Sequence, residues 1–379
     1  MNNGIASPRP PASWRDSLLA LRDRLLASPK FQRWAGAFPL TRPIARRHAR
    51  AVFDICAGFV YSQVLFSCVQ LRIFERLREG PDTLDAIASA TRLPPEAART
   101  LLDAAVSLHL IERRADHRYG LGPLGAATLG NPGIAAMVEH HGVLYGDLHD
   151  PVALLRGEVK DTALSRYWAY ARSAAPGALD PGAVAEYSTL MATSQSLVAE
   201  EILDAYPVGQ HRCVLDVGGG EGVFLLTAAR RTPALSCLLF DLPPVAERAR
   251  ARFAKEGVNG LAFGGDFRRD ALPTGADLVT FVRVLHDHGD ATVELLLRKA
   301  FAALPPGGRV LIAEPMARTG GAEPMGEAYF GFYLLAMGSG RPRSPDELRR
   351  MLTEAGFVSV RSLRTRQPLQ TGALVAVRP

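Results

Sequence analysis

His286 and Glu314 each close an apolar run, Asp277 to Leu285 and Arg309 to Ala313, and a histidine paired with a carboxylate is what general-base chemistry requires. An imidazole with a pKa near 6.5 can take a proton at neutral pH, and a carboxylate can hold it in one tautomer and stabilise its charged form. Upstream, Gly218-Gly219-Gly220-Glu221-Gly222 ends a short apolar strand around Val214 and Val217 and opens a helical stretch, Val223 to Arg231. Glycines there permit positive φ and let backbone approach a ligand closely. Asp241 ends the next apolar run, about 20 residues on, where an acid can accept from both hydroxyls of a ribose. In Gly264-Gly265-Asp266-Phe267 a carboxylate can accept from an adenine amino group while a ring covers the base.

These groups must be positioned by an alternation of strands and helices, with each turn at the carboxyl end of its strand, where open α/β sheets bind ligands. The glycine loop lacks the GK[ST] ending of a phosphate-cradling P-loop. It also places Val223 at the last glycine of the dinucleotide fingerprint. A nucleoside ligand without phosphates fits the turn better than ATP or a dinucleotide.

The order and wording of these motifs resemble the S-adenosylmethionine (SAM) dependent O-methyltransferases of plant phenolic and bacterial polyketide metabolism. The likeness runs from near residue 60 to the end of the chain. It implies a Rossmann-like α/β methyltransferase domain preceded by a mostly helical, winged-helix-like dimerisation domain. It also implies SAM as methyl donor, with a cofactor loop from Asp216 through Gly218 to Gly220, a ribose acid at Asp241 beside Leu242, and adenine contacts from Asp266 and Phe267. Arg283 stands for the family's cofactor-proximal lysine, keeping the charge but not the shape. Aligning Tyr187 to Leu203 on the matching family helix places Met191 and Gln195 beside the methyl donor. His286 takes the role of base and Glu314 that of its orienting partner. The family's second orienting glutamate is absent, because Pro342 occupies its place in Gly338-Ser-Gly-Arg-Pro-Arg-Ser344. Asp287 and His288 are read as structural, capping the helix Asp290 to Ala303 or bonding backbone. No second cluster of Asp, Glu, His or Cys has metal-ligand spacing, so no metal is expected.

With 47% hydrophobic and 22% charged residues, the 379-residue chain has the composition of a soluble globular protein of two or three domains. Its four cysteines show no paired spacing and are expected to be buried thiols of a reducing cytosol. The first residues lack the basic and apolar sequence of a secretory signal, which predicts a cytoplasmic protein. Residues 1–50 hold ten basic residues against two aspartates, a net +8 in a chain of total +6, with Trp14, Leu18, Leu21, Leu25, Phe31 and Trp34 interleaved. Such an arm can lie on an anionic membrane surface, making the protein peripheral on the inner or photosynthetic membrane, or can pack over a partner subunit. The apolar run Ala51 to Leu71 is interrupted by Asp54, Ser62, Gln63, Ser67 and Gln70, which predicts a buried helix at a subunit interface rather than a span.

Residues 60–125 read as a winged helix, which raises DNA binding as a second class of function. Glu96, Arg99 and Asp103 leave the candidate recognition helix slightly acidic, which argues against nucleic acid. The family resemblance makes this module a homodimer interface. Residues 1–50, 51–205 and 206–379 are thus expected to form a basic arm, a dimerisation and pocket domain, and a SAM-binding domain. His140, His141 and His149 are candidates to reach an acceptor.

The uncharged stretch Ala328 to Met337 is apolar on nearly all faces, so it must be buried or face an apolar ligand. Three segments, Phe31 to Trp34 with Phe38 to Arg47, Asp54 to Leu65, and Gly338 to Ser344, resemble the hydroxyneurosporene (demethylspheroidene) O-methyltransferases of purple phototrophic bacteria. That subgroup likeness implies a lipid-soluble carotenoid acceptor methylated at a tertiary 1-hydroxyl. A small phenol or polyketide acceptor, or a non-catalytic SAM-binding regulator, would share the cofactor residues.

Overall fold

The computed structural model describes residues 13–167, 195–366 and 371–379. Seven strands form one sheet: β3 (Cys213–Val217), β4 (Ser236–Asp241), β5 (Gly260–Gly264), β6 (Leu278–Val282), β7 (Arg309–Glu314), β8 (Val358–Leu363) and β9 (Gly372–Val377). Their spatial order is β5-β4-β3-β6-β7-β9-β8, with the first five parallel and β9 antiparallel to both its neighbours. The chain leaves β3 toward β4 on one side and returns to β6 on the other, so the crevice at the carboxyl ends of β3 and β6 is a topological switch point. Apolar cores fill both faces of the sheet, as parallel strands require.

Helices Ile73–Arg78, Leu84–Thr91 and Pro95–Ser107 precede a hairpin of β1 (Ile111–Arg113) and β2 (Tyr119–Leu121), which is the expected winged-helix arrangement. Its core gathers Phe74, Ile87, Leu102, Ile111 and Tyr119. Helices Pro132–Asp147, Pro151–Leu155 and Ala163–Tyr167 follow, and Leu144, Leu154 and Leu164 pack on Tyr333, Leu334 and Met337 of the methyltransferase domain.

The amino-terminal arm forms helices α1 (Trp14–Leu26) and α2 (Pro29–Ala37), and α3 (Arg42–Gln70) runs straight through residue 50 into the dimerisation region. Within one chain α3 is largely uncovered: only 11% of its most apolar window is buried, and Val52, Phe53, Ile55 and Phe59 are exposed. By length and composition alone α3 is apolar enough to cross a membrane. The cysteines also differ from expectation. Cys68 and Cys237 are buried, with burial pushing both thiols up to about 12, whereas Cys56 is exposed and Cys213 half-buried.

Candidate active site

The glycine turn after β3 is shaped by its neighbours across the switch point. Gly218 has φ +71°, and a Cβ there would lie 2.8 Å from the Val284 side chain, so only glycine lets the β3 and β6 turns meet. Asp241, at the end of β4, accepts from Gly220 N at 2.8 Å and from Leu242 N at 2.7 Å, tying the two neighbouring turns together. Burial raises the Asp241 pKa to about 6 despite these donors and Arg248. Asp216 lies deeper, under the loop: its Oδ1 accepts from Thr280 Oγ1 at 2.6 Å and its Oδ2 has no hydrogen-bond partner among the described residues. Burial pushes its pKa up to about 7. An orphaned buried carboxylate oxygen beside the glycine turn fits a site that receives a polar ligand.

Asp266 is engaged within its own loop, accepting from Arg268 N at 2.9 Å and from the Arg268 guanidinium through both oxygens. A carboxylate's remaining lone pairs leave room for a further donor. Phe267 meets His288 edge-on with ring centroids 5.2 Å apart. Gln195 opens the helix over residues 195–205, and Met191 lies outside the described residues.

His286 sits differently from its expected place at a strand end. β6 stops at Val282, Arg283 turns the chain with φ +59°, and His286 is the middle residue of a single 3₁₀ turn, Leu285–Asp287. Arg283 is held to the sheet through its own N–H, which donates to Ala313 O. Glu314, at the end of β7, accepts through Oε1 from Val284 N and Leu285 N, fixing it beneath the turn. Its Oε2 lies 3.7 Å from His286 Nδ1, an electrostatic contact longer than a hydrogen bond, while Asp287 Oδ1 lies 3.2 Å from Nε2. Burial opposes the imidazolium, yet the Asp287 and Glu314 carboxylates outweigh burial and Arg283 and hold the His286 pKa above its ordinary value. Asp287 and His288 do not cap the following helix: Gly289 is its N-cap without a side-chain bond, because both side chains turn into the core instead.

A narrow cavity opens at His286, lined by Met137, Arg283, Asp287, Tyr329, Phe330 and Tyr333. Two histidines that the sequence only nominated hold two of its lining tyrosines. His140 Nε2 is 2.8 Å from Tyr333 OH, and His141 Nε2 is 2.7 Å from Tyr329 OH. Burial lowers the pKa of both, to about 4 for His140, so both stay neutral and each can pair with a phenol as donor or acceptor. His149 is exposed, just beyond the end of the helix Pro132–Asp147. The expected helix Ala328 to Met337 is a π-helical segment, Pro324–Phe330, running into the α-helix Gly331–Met337.

An O-methyltransferase domain matches residues 145–358, and an O-methyltransferase dimerisation domain matches residues 53–131. The chain belongs to the O-methyltransferase family. It is 46% identical to the demethylspheroidene O-methyltransferase of Cereibacter sphaeroides, with 99% of each chain covered. The mouse acetylserotonin O-methyltransferase is 34% identical, covering 88% of this chain and 89% of that one. Human N-acetylserotonin methyltransferase, solved in complex with SAM, superposes with a TM-score of 0.71 at 26% identity, over 87% of this chain and 97% of that one. The protein is therefore an SAM-dependent O-methyltransferase with a helical dimerisation domain, which supports a homodimer. The exposed apolar face of α3 from residue 53 onward falls inside that dimerisation domain.

Proposed function

We propose that this O-methyltransferase methylates the tertiary 1-hydroxyl of an acyclic carotenoid of the hydroxyneurosporene or demethylspheroidene type. The 46% identity to a demethylspheroidene O-methyltransferase over nearly the whole of both chains carries this reading. The cavity at His286 supports it, because Tyr329, Phe330 and Tyr333 give it an aromatic side and the two tyrosine hydroxyls are already engaged by histidines. Bound SAM supplies a sulfonium-activated methyl group. Toward it, Gly218 and Gly220 offer close backbone, Asp241 beside Leu242 accepts from the ribose, Asp266 and Phe267 hold the adenine, and Asp216 supports the loop from below. Arg283 and Gln195 are the remaining proposed contacts, and the family resemblance adds Met191 to them.

A tertiary alcohol is too weakly acidic to ionise beforehand, so its proton leaves as the oxygen attacks. His286 accepts that proton at Nε2, where Asp287 Oδ1 lies 3.2 Å away, and Glu314 stabilises the imidazolium from Nδ1. Alignment of the hindered oxygen carries much of the rate. In this reading residues 51–205 form the interface and pocket wall, residues 206–379 the SAM domain, and the basic arm of residues 1–50 rests on an anionic membrane that holds the acceptor. Trp14, Leu18, Leu21, Leu25 and Trp34 are exposed on that arm, as membrane contact requires.

The test is methyl incorporation, read by mass spectrometry, on a 1-hydroxy carotenoid in anionic liposomes beside a panel of phenols, with the full chain and a form lacking residues 1–40. Transfer to the carotenoid, slowed in the truncated form only when the acceptor is in liposomes, is the expected result. Transfer to phenols alone would replace the acceptor, and equal liposome rates would remove the arm from the reading.

A further inference from the structure

The 3₁₀ turn that carries His286 and the residue that follows it present four consecutive backbone carbonyls, Leu285 to His288, and the loop after Met337 supplies a donor to every one. Arg343 Nη1 donates to Leu285 O at 2.9 Å, and its Nη2 to His288 O at 2.7 Å. Between them, Arg341 N donates to His286 O at 2.9 Å and Ser339 Oγ to Asp287 O at 3.0 Å. Arg343 is only 2% exposed, and Asp290 Oδ1 meets its charge, accepting from Nη2 at 2.7 Å and Nε at 2.9 Å. A buried guanidinium is costly unless paired and fully bonded, and this one is. Gly340 has φ +78°, and a Cβ on it would lie 2.1 Å from His286 O, so the loop presses directly on the back of the turn.

We propose that Arg343 is a positioning residue for methyl transfer, clamping the His286 turn from behind so that the imidazole keeps its bearing on Glu314 and the acceptor. The proposal rests on His286 being the base. A three-residue 3₁₀ turn has weak internal hydrogen bonds and open carbonyls, so it does not hold a side chain's direction by itself. Glu314 grips Leu285 by its N–H while Arg343 grips the same residue by its C=O, which blocks rotation of the segment just before His286. Pro342 offers the ring no carboxylate; this loop acts on the backbone instead. Small losses of alignment at a reacting centre cost about 10²-fold in rate.

The test uses full-length Arg343→Gln, Arg343→Lys and Asp290→Asn proteins, measuring kcat, KM, SAM affinity by calorimetry, Tm and the pH profile of kcat. Arg343→Gln is expected to lower kcat by roughly 10- to 100-fold with SAM affinity unchanged. The groups facing His286 are Asp287 on its own turn, Glu314 from β7, Arg283 from the end of β6, and the Phe330 ring. Loosening the turn weakens the two carboxylates' hold and leaves burial and Arg283, so the acid limb of kcat should move to lower pH. Arg343→Lys, able to reach one carbonyl but not two, should restore part of the rate. A fall in Tm with kcat per folded site and the pH limb unchanged would overturn the proposal. Should Arg343→Gln fail to fold, Asp290→Asn at the exposed end of the clamp decides by the same two readouts. His286→Ala run alongside separates the two readings: near-normal turnover there refutes the base, whatever Arg343 does.

Discussion

Every proposed cofactor contact from Gly218 to Phe267 lies on three consecutive parallel strands, whereas the wall facing the acceptor joins residues from opposite halves of the chain. On the cofactor side, Asp241 reaches Gly220 across one strand spacing, and each contact follows from a turn of fixed type. On the acceptor side, the His140–Tyr333 and His141–Tyr329 pairs link residues 193 and 188 positions apart. Backbone turns recognise a constant ligand, so that edge is built from short local motifs. The acceptor wall is made of side chains on separately packed helices, which can change without disturbing the sheet.

Four measurements would sharpen or break that division, and the largest effect is expected where the two sides meet. His286→Ala should lower kcat by about 10²- to 10⁴-fold while calorimetry still reports normal SAM binding. In the unsubstituted enzyme kcat should rise with pH along a limb placed above 6.5, because two carboxylates hold His286 protonated beyond its ordinary range. A limb at or below 6.5 would mean that burial and Arg283 prevail.

Asp241→Ala should act on the other side alone. It removes the acceptor of two backbone N–H groups and the proposed ribose ligand, which is expected to weaken SAM roughly 10- to 100-fold by calorimetry, since bonds to charged groups contribute about 1.5–3 kcal/mol. Unchanged affinity would remove the ribose assignment. Tyr329→Phe is expected to be mildest: it leaves half-buried His141 without its partner, costing about 1 kcal/mol in denaturant unfolding, with SAM affinity untouched. A matching loss of SAM affinity would show that the acceptor wall and the cofactor edge are coupled.

Much of the methyltransferase domain was legible beforehand. The strands β3, β4 and β7, the helices Val223–Arg231 and Asp290–Ala303, and the winged-helix order all follow from apolar runs and turn residues that act over a few positions. The misreadings share one cause. His286 was expected at the end of a longer strand, but the apolar run through Leu285 continues past the turn at Arg283, where a left-handed residue breaks the strand without any glycine to announce it. Asp287 and His288 sit where helix caps are usual, yet the pull of buried neighbours took both inward. Arg343 lies in the Gly338 to Ser344 segment that drew attention for its missing glutamate, but nothing local marks that arginine as the residue that is buried.

The sequence by itself determined the family, and it nominated a nucleoside-type cofactor edge and a base candidate, because each of these readings depends on residues within one strand, turn and helix. Only the tertiary structure decided what surrounds His286: the carboxylate on either side of its ring, the tyrosines held by His140 and His141, and the loop that grips its turn. Those depend on burial and hydrogen bonds between segments brought together by packing, and the strength of both is set by how completely water is excluded.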